Sequence, residues 1–148
     1  MRYRNLFEKD ELQMQIMPGG DLQLFINRNE DVNKDAFDRL KYLYPGQMDK
    51  EIHFAHFDGR RVVSSLALQT NPYDDSEFWL MHVVVDEDYR NRGLASELYQ
   101  AAVDYARDQG KAIKRSSATE MGQKYLSHVV DKIKKKNSDV EIRDQDKY

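Results

Sequence analysis

The stretch Val83-Val84-Val85-Asp86-Glu87-Asp88-Tyr89-Arg90-Asn91-Arg92-Gly93-Leu94-Ala95 constrains this chain more than any other. A β-branched apolar run reads as the end of a buried strand, apolar on both faces. An acidic turn follows, then a short Arg/Gly loop. Beyond it Leu94, Leu98, Ala102 and Tyr105 recur at helical spacing until Gly110 stops the pattern, about five turns in all. Strand, loop and helix in that order commit the chain to an α/β crossover. A glycine loop at a helix N-terminus presents backbone N–H groups at the positive end of the helix dipole, a site for phosphate or pyrophosphate. The amides of Asn91, Arg92, Gly93, Leu94, Ala95 and Ser96 would do the holding, and Arg90 and Arg92 add charge. The spacing is neither Gly-x-x-x-x-Gly-Lys-[Ser/Thr] nor Gly-x-Gly-x-x-Gly. The same string also suits an ordinary crossover in which Gly93 merely eases the turn.

The rest of the chain supplies the sheet. Leu12–Met17 and Leu22–Asn27 alternate apolar and polar residues around Pro18-Gly19-Gly20-Asp21, which predicts a hairpin. Asp31 can cap a helix with Val32, Ala36, Phe37, Leu40 and Leu43 on its apolar face, ended by Pro45-Gly46. Glu51–Phe57 and Arg61–Gln69 form a second predicted hairpin about Asp58-Gly59, and Ser76–Val85 is the next strand. Lys111–Ala118 reads as a short strand. Thr119 caps a last helix carrying Leu126, Val129 and Ile133, and Glu141–Arg143 is a candidate final strand. The expected order is ββ-α-ββ-β-α-β-α-β. The tail after Asn137 is short for a closing hairpin. A missing last strand, or one replaced by a partner subunit's edge, would suit a homodimer.

Bulk properties bound the function. A chain of 148 residues is expected to be one domain, 1–148, with a substantial core. No run approaches the ~18–20 apolar residues of a membrane span. Met1-Arg2-Tyr3-Arg4-Asn5-Leu6 lacks an apolar signal core, so a cytoplasmic location is expected. The absence of cysteine excludes disulfides, thiolate metal sites and a Cys nucleophile. A net charge of −3 argues against general nucleic-acid binding. Lys132, Lys134, Lys135 and Lys136 read as a solvated face at a helix end, with RNA or coenzyme phosphate as the other reading.

Arg90-x-x-Gly93-x-Ala95, four residues after a strand ending in Val85, resembles the acyl-CoA loop of the GCN5-related N-acetyltransferases. The resemblance spans roughly residues 30 to 137, with its specific residues at 83–96. It implies a single-domain α/β fold with a mixed, mostly antiparallel twisted sheet that splays open after the strand ending at Val85. It implies acetyl-CoA as acyl donor, no metal, and direct attack by a primary amine on a protein or small molecule. The exposed backbone of Val83, Val84 and Val85 would then pair with the pantetheine arm.

The catalytic residues are less legible. The resemblance puts the usual base positions at Trp79 and Met81, neither of which takes a proton. Glu77 shares their face by period 2 and is the candidate base, with a water relay as the alternative. His82 falls on the opposite face unless a bulge shifts the register, and reads as a satisfied core or interface histidine. Tyr125 is the candidate acid for the departing thiolate. Here the chain departs from the family pattern: Ser117 or Thr119 replaces an Asn, and no Gly-Phe pair follows. Asp74, Asp75 and Glu77 gather acidic charge where an amine would enter, which suits a cationic acceptor. A non-catalytic acyl-CoA-binding module, or a protein-interaction domain on this fold, is the other class of reading.

Overall fold

The computed structural model describes residues 12–28, 37, 50–115 and 131–143. Six strands form one sheet whose spatial order follows the chain: β1 (Gln13–Pro18), β2 (Glu51–Asp58), β3 (Arg61–Thr70), β4 (Glu77–Val85), β5 (Ala112–Arg115) and β6 (Ile142–Arg143). The first four are antiparallel; β5 runs parallel to β4, and β6 parallel to β5. Helix α1 (Gly19–Arg28) follows β1 directly, α2 (Leu94–Gln109) joins β4 to β5, and a helical segment at 131–136 precedes β6.

The expected first hairpin is overturned. Leu22–Asn27 is helix, not strand. Leu22 and Ile26 fit both periods, two residues and four, and Leu24 decides between them. A strand would bury Leu24 beside them, but it is 51% exposed while Leu22 and Ile26 are buried. Asp21 in the first turn and Arg28 in the last suit the helix dipole. The helix between Asp31 and Leu43 lies outside the described residues apart from Phe37. That ring is buried with Leu22, Ile26, Ala55, Phe57 and Val62, between α1 and the sheet.

The second hairpin forms as expected, Asp58 opposite Arg61. On the other side of the sheet α2 lays Leu98, Tyr99, Ala102, Val103 and Ala106 over Phe54, Leu66, Leu68, Phe78, Leu80 and Ile113. Ile133, from the helical segment, joins that core. Tyr105 is only half-buried, its ring edge against Phe54. Gly110 ends α2 in the left-handed region, where its N–H reaches the carbonyls of Ala106 and Arg107. The chain supplies its own last strand at Ile142–Arg143, one residue shorter than expected.

Two bulges set which side chain faces which layer. β3 carries an extra residue, Val63, between the pairs His56↔Ser64 and Phe57↔Val62. β4 carries Met81 between Leu68↔Leu80 and Ala67↔His82. Leu80 and Val83 therefore share the α2 face, while Trp79, His82 and Val84 share the α1 face. His82 thus joins Trp79's face, not the opposite one.

Candidate functional site

Among the described residues β5 pairs with β4 from Glu77 to Leu80. From Met81 onward that edge of β4 has no strand partner among the described residues. The apolar run at its end is accordingly not buried on both faces: Val83, Val84 and Val85 are each half-buried. Each touches a different cluster, Val83 the α2 core, Val84 the α1 layer, and Val85 the group of Val63, Tyr89 and Leu94. Side chains anchor the strand on three clusters.

The turn after Val85 is structural. Asp86 is fully buried, and its carboxylate accepts from the Asp88 N–H at 3.2 Å and from Arg61 Nη2 at 3.3 Å. It caps a single 3₁₀ turn, Glu87–Tyr89. Tyr89 donates its hydroxyl to Asp58 Oδ2 at 2.5 Å. Its ring carries the Arg61 and Arg92 guanidiniums at 5.4 and 4.8 Å from the centroid. Burial, then the Asp58 contact, raise its phenol above the usual tyrosine range. The loop is thereby tied to the tip of the β2–β3 hairpin.

Both loop arginines fold back on the backbone: Arg90 Nε donates to the Val85 carbonyl at 3.2 Å and Arg92 Nη2 to that of Asp88 at 3.3 Å. Asn91 (φ 65°) and Gly93 (φ 78°) both adopt the left-handed region. Gly93 is the N-cap of α2, and no side chain caps the first turn. Among the described residues, the first-turn N–H groups at Leu94, Ala95 and Ser96 thus have no capping side-chain oxygen. A Cβ built on Gly93 meets nothing within 4 Å, so the backbone there faces open space. The residues fit an anion that approaches the backbone closely.

Glu77 sits at the far end of β4, eight residues or about 25 Å of strand before Val85. It is buried; Arg143 Nη1 donates to Oε1 at 2.6 Å and Asn71 Nδ2 to Oε2 at 2.9 Å. Asp74 also lies 3.9 Å from Arg143. Hydrogen bonds from Ser76 are the main cause holding the Asp74 carboxyl below its usual range. Arg143 offsets the acidic cluster from β6. Tyr73 is 90% exposed and leans on Trp79 with ring centroids 6.5 Å apart. Tyr125 lies outside the described residues. Lys132, Lys135 and Lys136 are exposed on the helical segment.

The sequence reading missed a polar line on the α1 face. His82 Nε2 lies 3.3 Å from Ser65 Oγ, and Ser65 Oγ lies 3.0 Å from His53 Nδ1. His53 Nε2 lies 2.9 Å from Glu51 Oε1. Glu51, His53 and Ser65 are fully buried. Glu51 and His53 share a face by period 2, which is visible in the sequence; their meeting with Ser65 and His82 depends on the two bulges. A second set on the α2 face joins Ser64, His56 and Glu97, with His56 Nε2 at 2.8 Å from Glu97 Oε1.

The sequence profile of the Acetyltransferase (GNAT) family matches residues 22–129. The chain belongs to that family. None of the curated proteins matches the sequence. Solved GNAT structures share the fold at low identity. An aminoglycoside acetyltransferase from an uncultured soil metagenomic sample, in complex with sisomicin, superposes with a TM-score of 0.59 at 13% identity, covering 83% of this chain and 88% of that one. The IAA acetyltransferase from Bacillus cereus gives 0.56 at 14% identity, covering 82% and 75%. A GCN5-related N-acetyltransferase from Ralstonia eutropha gives 0.53 at 17%, covering 79% and 90%.

Proposed function

We propose that this GNAT protein is a single-domain, cytoplasmic N-acetyltransferase that moves an acetyl group from acetyl-CoA to a primary amine. The observation that carries the reading is two backbone surfaces close in sequence: the first turn of α2 behind Gly93, which has no side-chain cap among the described residues, and the edge of β4 from Met81, which has no strand partner among them. Asn91–Ser96 would hold the pyrophosphate, with Arg90 and Arg92 beside it; Val83, Val84 and Val85 would hold the pantetheine arm. Bound acetyl-CoA supplies an activated thioester. The chain's own work is to hold it, orient the amine and move one proton.

Tyr125 is proposed, through the family resemblance, as donor to the departing thiolate. Glu77 is proposed only for the outer end of a water relay, because both its oxygens already hold fixed donors. The acceptor class is a cationic amine, such as a lysine side chain, a polyamine or an aminoglycoside. The Asp74–Asp75 loop and the exposed Tyr73 at its rim support that choice.

The test is release of free thiol from acetyl-CoA in the presence of a lysine peptide, a polyamine and an aminoglycoside. Amine-dependent release supports the enzyme. Coenzyme binding without release on any amine favours a non-catalytic acyl-CoA-binding module, and no binding removes both.

A further inference from the structure

The bulge at Val63 has a second effect, on the α2 face. It sets His56 opposite Ser64, and Ser64 in turn is the register partner of Val85, the last residue of β4. The Ser64 hydroxyl oxygen takes the His56 backbone N–H at 3.2 Å and lies 2.6 Å from His56 Nδ1. His56 Nε2 lies 2.8 Å from Glu97 Oε1. An ionised carboxylate can only accept hydrogen bonds, so Nε2 carries a proton toward Glu97 and Nδ1 accepts the Ser64 hydroxyl. Ser64 is wholly buried and its proton is committed, so the Ser–His–Glu order makes no nucleophile in this structure.

What this line holds is the first turn of α2. Glu97 is the fourth residue of that helix, and its N–H donates to the Gly93 carbonyl at 3.1 Å. A helical side chain leans toward the helix N-terminus and covers the turn before its own Cα. That turn is the one proposed for the pyrophosphate, and no side-chain oxygen caps it among the described residues. The helix dipole draws a carboxylate there as it draws a phosphate. The Glu97 side chain is 59% exposed, and among the described residues the His56 ring is its partner. Arg90 and Arg92 are folded back on the Val85 and Asp88 carbonyls instead. A released Glu97 would therefore compete with the coenzyme for the same field.

We infer that His56 and Ser64 are positioning residues that hold the Glu97 carboxylate against the sheet and keep the first turn of α2 free for the coenzyme's pyrophosphate. The inference rests on the acetyl-CoA reading above and deepens it. The hold is firm because Ser64 fixes the residue from beneath through two contacts, and the ring, 1% exposed, cannot turn without breaking one of them. Glu97 opposes binding once released. The loss caused by removing the holder is therefore recovered by removing what it holds. A role for His56 in packing alone gives no such recovery.

Two measurements on the full chain test this. The first reads the amide protons of Leu94, Ala95 and Ser96 by NMR without coenzyme. In His56→Leu, which removes the donor, they are expected to move downfield as the Glu97 carboxylate approaches, and to return when Glu97→Gln is added. Amides that keep their wild-type positions, or a change that survives Glu97→Gln, overturn the inference. The second is calorimetry with acetyl-CoA. His56→Leu should weaken binding about two- to fivefold, the scale of one charge at a helix end. Adding Glu97→Gln should restore at least the wild-type affinity. His56→Gln keeps a donor at the reach of Nε2 and should recover most of the loss. Ser64→Ala serves where His56→Leu fails to fold; it frees the ring and should give smaller changes in the same directions, again removed by Glu97→Gln. A loss that persists with Glu97→Gln added overturns the positioning role. No acetyl-CoA binding by wild type overturns the coenzyme reading and that role with it, while the amide resonances report separately on whether His56 holds Glu97 away.

Discussion

Gly93 concentrates the cofactor question in one residue. Its φ of 78° disfavours most side chains, and the space a Cβ would enter is empty. Valine there would confound strain with blockage, because a β-branched residue is an outlier at positive φ. Asparagine tolerates the left-handed region. Gly93→Asn is therefore expected to stay folded and to lose acetyl-CoA affinity by calorimetry; unchanged affinity in a folded variant would sink the pyrophosphate assignment. Tyr125→Phe should lower turnover and leave coenzyme binding nearly intact, since only the hydroxyl is lost. Equal turnover moves the acid role to water or to another residue. Glu77→Gln should lower kcat/KM by a modest factor, well short of the ~10²–10⁴-fold of a positioned base. A wild-type limb near pH 6–7 in kcat/KM that vanishes in that variant would make Glu77 the base after all.

Helix α2 carries its own pH signature. Burial pushes the Tyr99 phenol up to about 12, with Arg115 opposing. In the unfolded chain it ionises near ~10. The stabilisation is whole below pH 10 and is lost as pH rises through the folded value, because the unfolded state releases its proton first. Two units correspond to about 3 kcal/mol. Urea titrations of wild type and Tyr99→Phe between pH 9 and 12 should show the smaller loss in the variant. Parallel slopes would contradict the burial argument. The elements themselves were unevenly legible. The β2–β3 hairpin, β4, the Arg/Gly loop and α2 follow from local patterns that tertiary contacts reinforce. α1 did not, because Leu22, Leu24 and Ile26 satisfy both periods and only packing chooses. The bulges were not legible either. Extrapolating inward from Asp58↔Arg61 sets His53 opposite Leu66, whereas Val63 shifts it to Ala67. The Glu77–Arg143 pair joins residues 66 apart in sequence and carries no local signal.

For the whole molecule, ligand linkage gives a direct readout. A coenzyme that binds only the folded chain stabilises it by ~2.7 kcal/mol at a hundredfold excess over Kd. In a domain of this size that is roughly 5–10 °C in Tm. No shift with acetyl-CoA, in a chain that melts cooperatively, would remove acyl-CoA binding from the proposal. The Met81 bulge has a consequence of another kind. β4 writes one apolar string, yet even-numbered positions (Phe78, Leu80) face α2 before the bulge and an odd-numbered one (Val83) after it, because a single unpaired residue flips the parity of everything that follows. Losing that residue would exchange the layers, sending the His82 ring toward Leu66 and Leu98 and Val83 into the polar line. Between Leu80 and Gly93 an insertion or deletion should thus cost more than a substitution that keeps the buried turn, because it displaces every later side chain from its layer. What this part of the chain encodes most strictly is a count.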